Sequence, residues 1–120
     1  MNKALVVEDG LTDMEIISKY LQDEGYYVIS AKSSEEAQRI INQNQLDVIF
    51  LDVILPGKSG YEICRELKSD PKTSKIPVVM CSTKNSDVDK MWGTMLGADA
   101  YISKPIDQQE LTTTLSQLIK

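Results

Sequence analysis

With 120 residues, 18 acidic and 13 basic side chains, a net charge of −5 and no histidine, the chain has the size of one domain with a sizeable core. The acidic balance argues against a nucleic-acid surface, which draws its affinity from Lys and Arg set against phosphates. Cys64 and Cys81 lack CxxC spacing and lie in apolar segments, so they read as small buried hydrophobes, not as a disulfide or thiol metal site. No run reaches membrane-spanning length and no signal-peptide segment follows Met1. The expectation is a single cytoplasmic domain over residues 1–120, without direct nucleic-acid contact or membrane insertion.

The first predicted strand is Ala4-Leu5-Val6-Val7, which closes on Glu8-Asp9. Gly10 frees the backbone to turn, and Thr12-Asp13-Met14-Glu15 has the S/T-x-x-E form of a capping box. The helix it opens carries Met14, Ile17, Tyr20 and Leu21 at helical spacing and stops near Gly25. Tyr27-Val28-Ile29-Ser30-Ala31 is a second strand, and Ser33-Ser34-Glu35-Glu36 a second capping box, leading a helix through Ala37, Ile40 and Ile41. Val48-Ile49-Phe50-Leu51 is an unbroken apolar run, the mark of a strand covered on both faces, and it ends abruptly in Asp52.

Leu55-Pro56-Gly57-Lys58-Ser59-Gly60 is a loop by its Pro and Gly content. Ser59 then caps a helix carrying Ile63 and Leu67. A polar connection delivers the chain to the apolar run Ile76-Pro77-Val78-Val79-Met80-Cys81, with Ser82-Thr83 at its end. Residues 87–96 form a helix closed by Gly97, with Val88, Met91, Met95 and Leu96 as its predicted buried stripe. Trp92 is assigned to that stripe as core, the other reading being a solvent-facing binding anchor. Gly93 costs helix stability and so points to close packing or mobility. Ala100-Tyr101-Ile102-Ser103 is a last strand and Lys104-Pro105 a turn. Asp107 caps a final helix with Leu111, Leu115 and Leu118 on one side.

Five strands alternating with five helices predict an α/β fold: a doubly wound five-stranded parallel sheet with helices on both faces. The flavodoxin-like strand order 2-1-3-4-5 places its switch point between the first and third strands. Glu8 and Asp9 then meet Asp52 there. Three carboxylates in one cleft repel unless a cation relieves them, and without histidine or suitable cysteines the fitting occupant is a hard dication. Magnesium keeps several waters and takes one or two carboxylates directly, which suits Asp9 and Asp52 as ligands with Glu8 acting through water; manganese could substitute. Lys104, ending the fifth strand, brings the formal charge of the site to zero. A site so balanced can accept an incoming phosphoryl group.

At this point the sequence resembles the receiver domains of two-component response regulators, of the stand-alone chemotaxis-like kind. The residues that carry the likeness are Glu8-Asp9, Asp52 followed by Leu55-Pro56-Gly57 and Gly60, Ser82, Gly97-Ala98-Asp99-Ala100-Tyr101 and Lys104-Pro105. They span nearly the whole chain in the right order. The resemblance implies that Asp52 is the phosphoacceptor, served by a sensor histidine kinase or phosphotransfer protein. It implies that Glu8, Asp9, Asp52 and the backbone carbonyl of Ile54 hold Mg2+ and that Lys104 pairs with the phosphoryl oxygens. Ser82 and Tyr101 would act as switch residues, the peptide before Pro105 would be cis, and the fourth helix, fifth strand and fifth helix would meet a downstream protein. Such a protein catalyses only its own phosphorylation and dephosphorylation. Chemotaxis, motility or pilus control is the process that the likeness suggests.

Gly10 stands where a polar residue is common in the family, Thr83 where a small residue is usual, and Ile54 and Lys84 where side chains can shield the acyl phosphate. Taken singly, Asp9 and Asp52 read as loop starts or helix caps, Ser82 as a turn hydroxyl, Lys104 as an exposed cation and Tyr101 as core. Their convergence favours function. A P-loop fails because the glycine it needs falls at Asp52. A haloacid-dehalogenase-like site fails because position 54 is Ile, and a flavodoxin-type phosphate loop fails because Glu8-Asp9 would repel the phosphate. The remaining alternatives are a receiver cut from a larger regulator and a binding module that signals without phosphorylation.

Overall fold

Apolar runs such as Val48 to Leu51 can lose water on both sides only inside a sheet sandwiched by helices, and that is where the chain puts them. The computed structural model describes residues 2–119. Along the chain run β1 (Lys3–Val7), α1 (Leu11–Asp23), β2 (Tyr27–Ala31), α2 (Ser34–Gln43), β3 (Val48–Asp52) and α3 (Gly60–Ser69). They are followed by β4 (Val78–Ser82), α4 (Asp87–Met95), β5 (Ala100–Ser103) and α5 (Gln108–Leu118). The strands are parallel in the order β2-β1-β3-β4-β5, as the alternation predicts.

Strand side chains alternate between two cores. Ala4, Val6, Phe50 and Ile102 pack with Met14, Ile17 and Leu21 of α1 and Leu111 and Leu115 of α5. Leu5, Val7, Ile49, Leu51 and Met80 pack on the other face with Ala37 and Ile41 of α2 and Ile63, Cys64 and Leu67 of α3. Both cysteines are buried free thiols, and a fully buried side chain the size of Phe50 contributes about 2–3 kcal/mol. Among the described residues no helix is long and apolar enough to cross a membrane.

Three predicted caps form. The Ser33 side chain accepts the Glu36 N–H, Ser59 that of Glu62, and Asp107 that of Glu110, each contributing about 1 kcal/mol. The Thr12 capping box does not form: α1 begins at Leu11, its N-cap is Gly10 and no side chain caps it. Thr12 is already inside the helix, because the turn made by Gly10 is tight enough for its carbonyl to accept the Met14 N–H at 2.9 Å. A capping box that the sequence reading did not identify, Ser86 with Asp89, starts α4.

The stripe assigned to the core on α4 is a second correction. Val88, Met91, Met95 and Trp92 are all more than half exposed, and Leu96 is half-buried. The face turned inward is that of Gly93, where a Cβ would lie 3.0 Å from Tyr101 Cδ2 and 3.6 Å from Met80 Sδ. Met80 and Tyr101 already fill the space above β4 and β5, so the helix approaches with its smallest residue and its apolar stripe faces outward.

Candidate functional site at the carboxyl ends of the strands

Parallel strands deliver their ends to one edge of the sheet, and this edge collects charge. Val7 of β1 is level with Leu51 of β3, so Glu8 follows β1 where Asp52 ends β3. Asp52 is level with Cys81, and Ser82 with Ser103, which brings Ser82 and Lys104 to the same edge. One carboxylate oxygen from each of Glu8, Asp9 and Asp52 lies within 4.8 Å of the others. The sequence therefore located these three groups correctly relative to one another.

Glu8 and Asp52 are buried, at 2% and 7% exposure, whereas Asp9 is exposed. Burial at this depth needs partners. Glu8 Oε2 accepts the Gly10 N–H at 2.9 Å, and Glu8 Oε1 accepts from Lys104 Nζ. Lys104 Nζ also lies 3.1 Å from Asp13 Oδ2 and 3.3 Å from Asp52 Oδ2. Burial pushes the Glu8 carboxyl up, the bonds from Lys104 and Gly10 only partly opposing it. Burial also works against the Lys104 charge, but its bonds to Glu8 and Asp13 and the field of Asp52 outweigh that and hold its pKa above the usual lysine range.

Asp13 was not anticipated. It falls one turn after Asp9 in the first turn of α1, a position that aims its carboxylate at the strand ends. That spacing from the acidic pair was the available signal, obscured by reading the segment as a cap.

Ser82 is fully buried, and its Oγ accepts the Lys84 N–H at 3.1 Å. The Tyr101 hydroxyl donates to the Lys84 carbonyl. Ser82 and Tyr101 thus hold the two sides of one loop residue, and Tyr101 reaches that loop instead of the carboxylates. Ile54 follows Asp52 by two positions, and its N–H points to Asp52 Oδ1 at 3.4 Å.

The donor set fits a hard dication. It consists of carboxylate oxygens without nitrogen or sulfur. Both Glu8 oxygens already have protein partners. Among the described residues Asp9 enters no ion pair, which leaves its carboxylate available. A cleft of about 710 Å³ at the opposite end of the sheet, lined by Gln38, Ile41, Asn42, Leu46 and Thr73 among others, gathers no comparable cluster among the described residues.

Comparison with known proteins agrees with this geometry. The response regulator receiver domain family matches residues 4–116. Protein PilH of Pseudomonas aeruginosa is 33% identical over 119 residues, 99% of this chain and 98% of that protein. Among solved structures, the chemotaxis response regulator CheY4 of Vibrio cholerae is 30% identical with a TM-score of 0.91, covering 99% of both chains. The receiver domain of a Pseudomonas aeruginosa sensor histidine kinase, solved with a magnesium ion coordinated in its active-site cleft, is 25% identical. Its TM-score is 0.89, and the match covers 98% of this chain and 97% of that one. Strand order, strand-end chemistry and similarity over nearly the full length converge, and the chain belongs to the response regulator receiver family of two-component phosphorelay signalling.

Proposed function

We propose that the chain is a phosphorylation-dependent switch in which Asp52 takes a phosphoryl group from a sensor histidine kinase or phosphotransfer protein. The observation that carries this reading is the convergence of Lys104 Nζ, Glu8 and Asp9 on Asp52 at the end of a buried strand. An Asp52 carboxylate oxygen attacks phosphorus as the P–N bond of the donor phosphohistidine breaks. The bonding pair leaves on the imidazole nitrogen, which takes up a proton, and the product is an acyl phosphate. Lys104 already neutralises Asp52 Oδ2 and would meet the phosphoryl oxygens with its charge in place. Glu8, Asp9, Asp52 and the Ile54 carbonyl would hold Mg2+, or Mn2+ in its stead, which supplies positive charge against the phosphoryl oxygens.

The signal would leave through Lys84. Turning the Ser82 hydroxyl toward a new phosphate releases the Lys84 N–H, while the carbonyl of the same residue anchors Tyr101. The β4–α4 loop would then reset Tyr101 and the surface of α4, β5 and α5 that a downstream protein reads. The chain would act catalytically only on its own phosphorylation and dephosphorylation, in chemotaxis, motility or pilus control.

Labelling with acetyl phosphate or beryllofluoride tests this. One Mg2+-dependent adduct per chain is expected, and it disappears in Asp52→Asn. No adduct on the wild-type chain, or one that persists undiminished in Asp52→Asn, refutes the reading.

A further inference from the structure

Val88, Met91, Trp92 and Met95 are 57%, 55%, 52% and 70% exposed. They fall at i, i+3, i+4 and i+7, a single apolar stripe on the outer side of α4. Together they present roughly 400–500 Å² of apolar surface, the scale of patches that mark interaction sites. The stripe leans toward α3, away from the Tyr101 side that Gly93 faces: Trp92 and Leu96 line a groove of about 280 Å³ with Tyr61, Glu62 and Arg65. Glu62 and Arg65 are exposed, lie three residues apart on α3, and among the described residues neither enters an ion pair.

We propose that this α3–α4 face is the contact surface for a second copy of the chain. A two-fold axis that lays two α4 stripes together antiparallel sets each α3 flank against the same flank of the other copy, running in the opposite direction. The acid that comes first on α3 then faces the base that comes second, so one Glu62 and one Arg65 per chain become two reciprocal ion pairs bordering the apolar stripe. This self-complementary order favours a like surface over an unrelated one, and the antiparallel α4 dipoles add to it. With its rim the face falls at or below the roughly 800 Å² per partner of a standard stable interface. The pairing is therefore reversible and concentration-dependent, and it needs no phosphoryl group on Asp52.

Sedimentation of the full chain over micromolar to millimolar concentration, read beside Trp92 fluorescence, tests the proposal. A monomer–dimer equilibrium is expected, with Trp92 emission shifting to the blue as dimer forms. Trp92→Ala weakens it roughly thirtyfold, as loss of a central aromatic anchor does. Glu62→Arg and Arg65→Glu each weaken it about tenfold, by turning both ion pairs into like-charge contacts. The double variant Glu62→Arg with Arg65→Glu rebuilds both pairs and returns affinity to within about threefold of wild type. All these positions are exposed or on the rim, so thermal melts of the variants report that the monomer is intact. A wild-type chain that stays monomeric throughout overturns the proposal and leaves the face to an unrelated partner. Single reversals without effect, or a double variant that fails to recover, overturn it equally.

Discussion

Gly60 sets the approach of α3 to the Asp52 end of β3, and replacing it tests how the site is built. Its N–H donates to the Val53 carbonyl at 2.8 Å. A Cβ at this position would stand 2.0 Å from the Asp52 carbonyl oxygen, 2.8 Å from the Asp52 carbonyl carbon and 2.8 Å from Val53 Cα. All three are backbone atoms, so no rotamer change relieves the clash. The start of α3 and the end of β3 must part by about 1 Å or more, at the upper end of the roughly 1–3 kcal/mol that overpacking costs. Alanine recovers less than about 1 kcal/mol through helix propensity. A net loss of roughly 2–3 kcal/mol lowers Tm by about 8–15 °C in a domain of this size. Because the displaced residue is Asp52, beryllofluoride affinity falls in the same variant, measured below its melting range. Gly10→Ala is the control for the fold: its Cβ would meet only side-chain atoms, Glu8 Oε2 at 3.2 Å, Asp13 Oδ2 at 3.6 Å and Glu8 Cδ at 3.9 Å, and no backbone. A Gly60→Ala chain that melts within about 2 °C of wild type and keeps its beryllofluoride affinity refutes the reasoning.

Other substitutions separate the roles of neighbouring charges. Lys68 Nζ lies 2.8 Å from Asp99 Oδ2 and donates to the carbonyls of Ile76 at 2.7 Å and Ser74 at 3.3 Å. Lys68→Met keeps the stem that packs on Gly97 but loses these bonds, and urea unfolding should show a loss of about 1.5–3 kcal/mol with an unchanged m-value. Asp13→Asn removes one of three carboxylates around Lys104 and the most exposed of them. It should cost no more than about 1 kcal/mol and leave the acetyl phosphate adduct in place, whereas a lost adduct would make Asp13 part of the acceptor site. Alkaline pH should weaken the fold. Burial pushes the Cys64 thiol up to about 11 from its ordinary 9.0 and holds Cys81 and Tyr101 above their usual values. As pH rises above about 9, the unfolded chain releases protons that the folded chain retains, so stability declines there. Tm measured across pH 8 to 10.5 should fall along that limb, and Cys64→Ser should make it shallower while the Cys81 and Tyr101 contributions remain; a level wild-type profile contradicts the assignment.

The site was legible because its requirements are discrete. Glu8-Asp9, Asp52 and Lys104 each end an apolar run, and a parallel sheet of alternating topology has one edge to which such ends go. Strand order then determines who meets whom, so groups on different strands, 43 to 96 positions apart in sequence, are placed together by topology alone. Asp13 escaped because a carboxylate in the first turn of a helix serves equally well as a favourable charge at the helix N-terminus. Its second use, holding Lys104, depends on a side-chain direction that spacing does not encode.

The misplacement on α4 has a different physical origin. Periodicity records that one face of a helix is apolar; it is silent on what covers that face. Val88, Met91, Trp92 and Met95 satisfy the helical period as well as Met14, Ile17 and Leu21 do, yet the first set faces outward and the second lies in the core. The discriminating residue is Gly93. Within a helix a glycine costs about 1 kcal/mol relative to alanine, an expense tolerated where a backbone must come close to something large, here the Tyr101 ring. Reading that glycine as the contact face would have turned the apolar stripe outward from the sequence alone, since Trp92 and Gly93 are adjacent and successive helix positions diverge by about 100°. An apolar stripe on the face opposite a conformationally costly glycine is therefore evidence of an external contact, not of core.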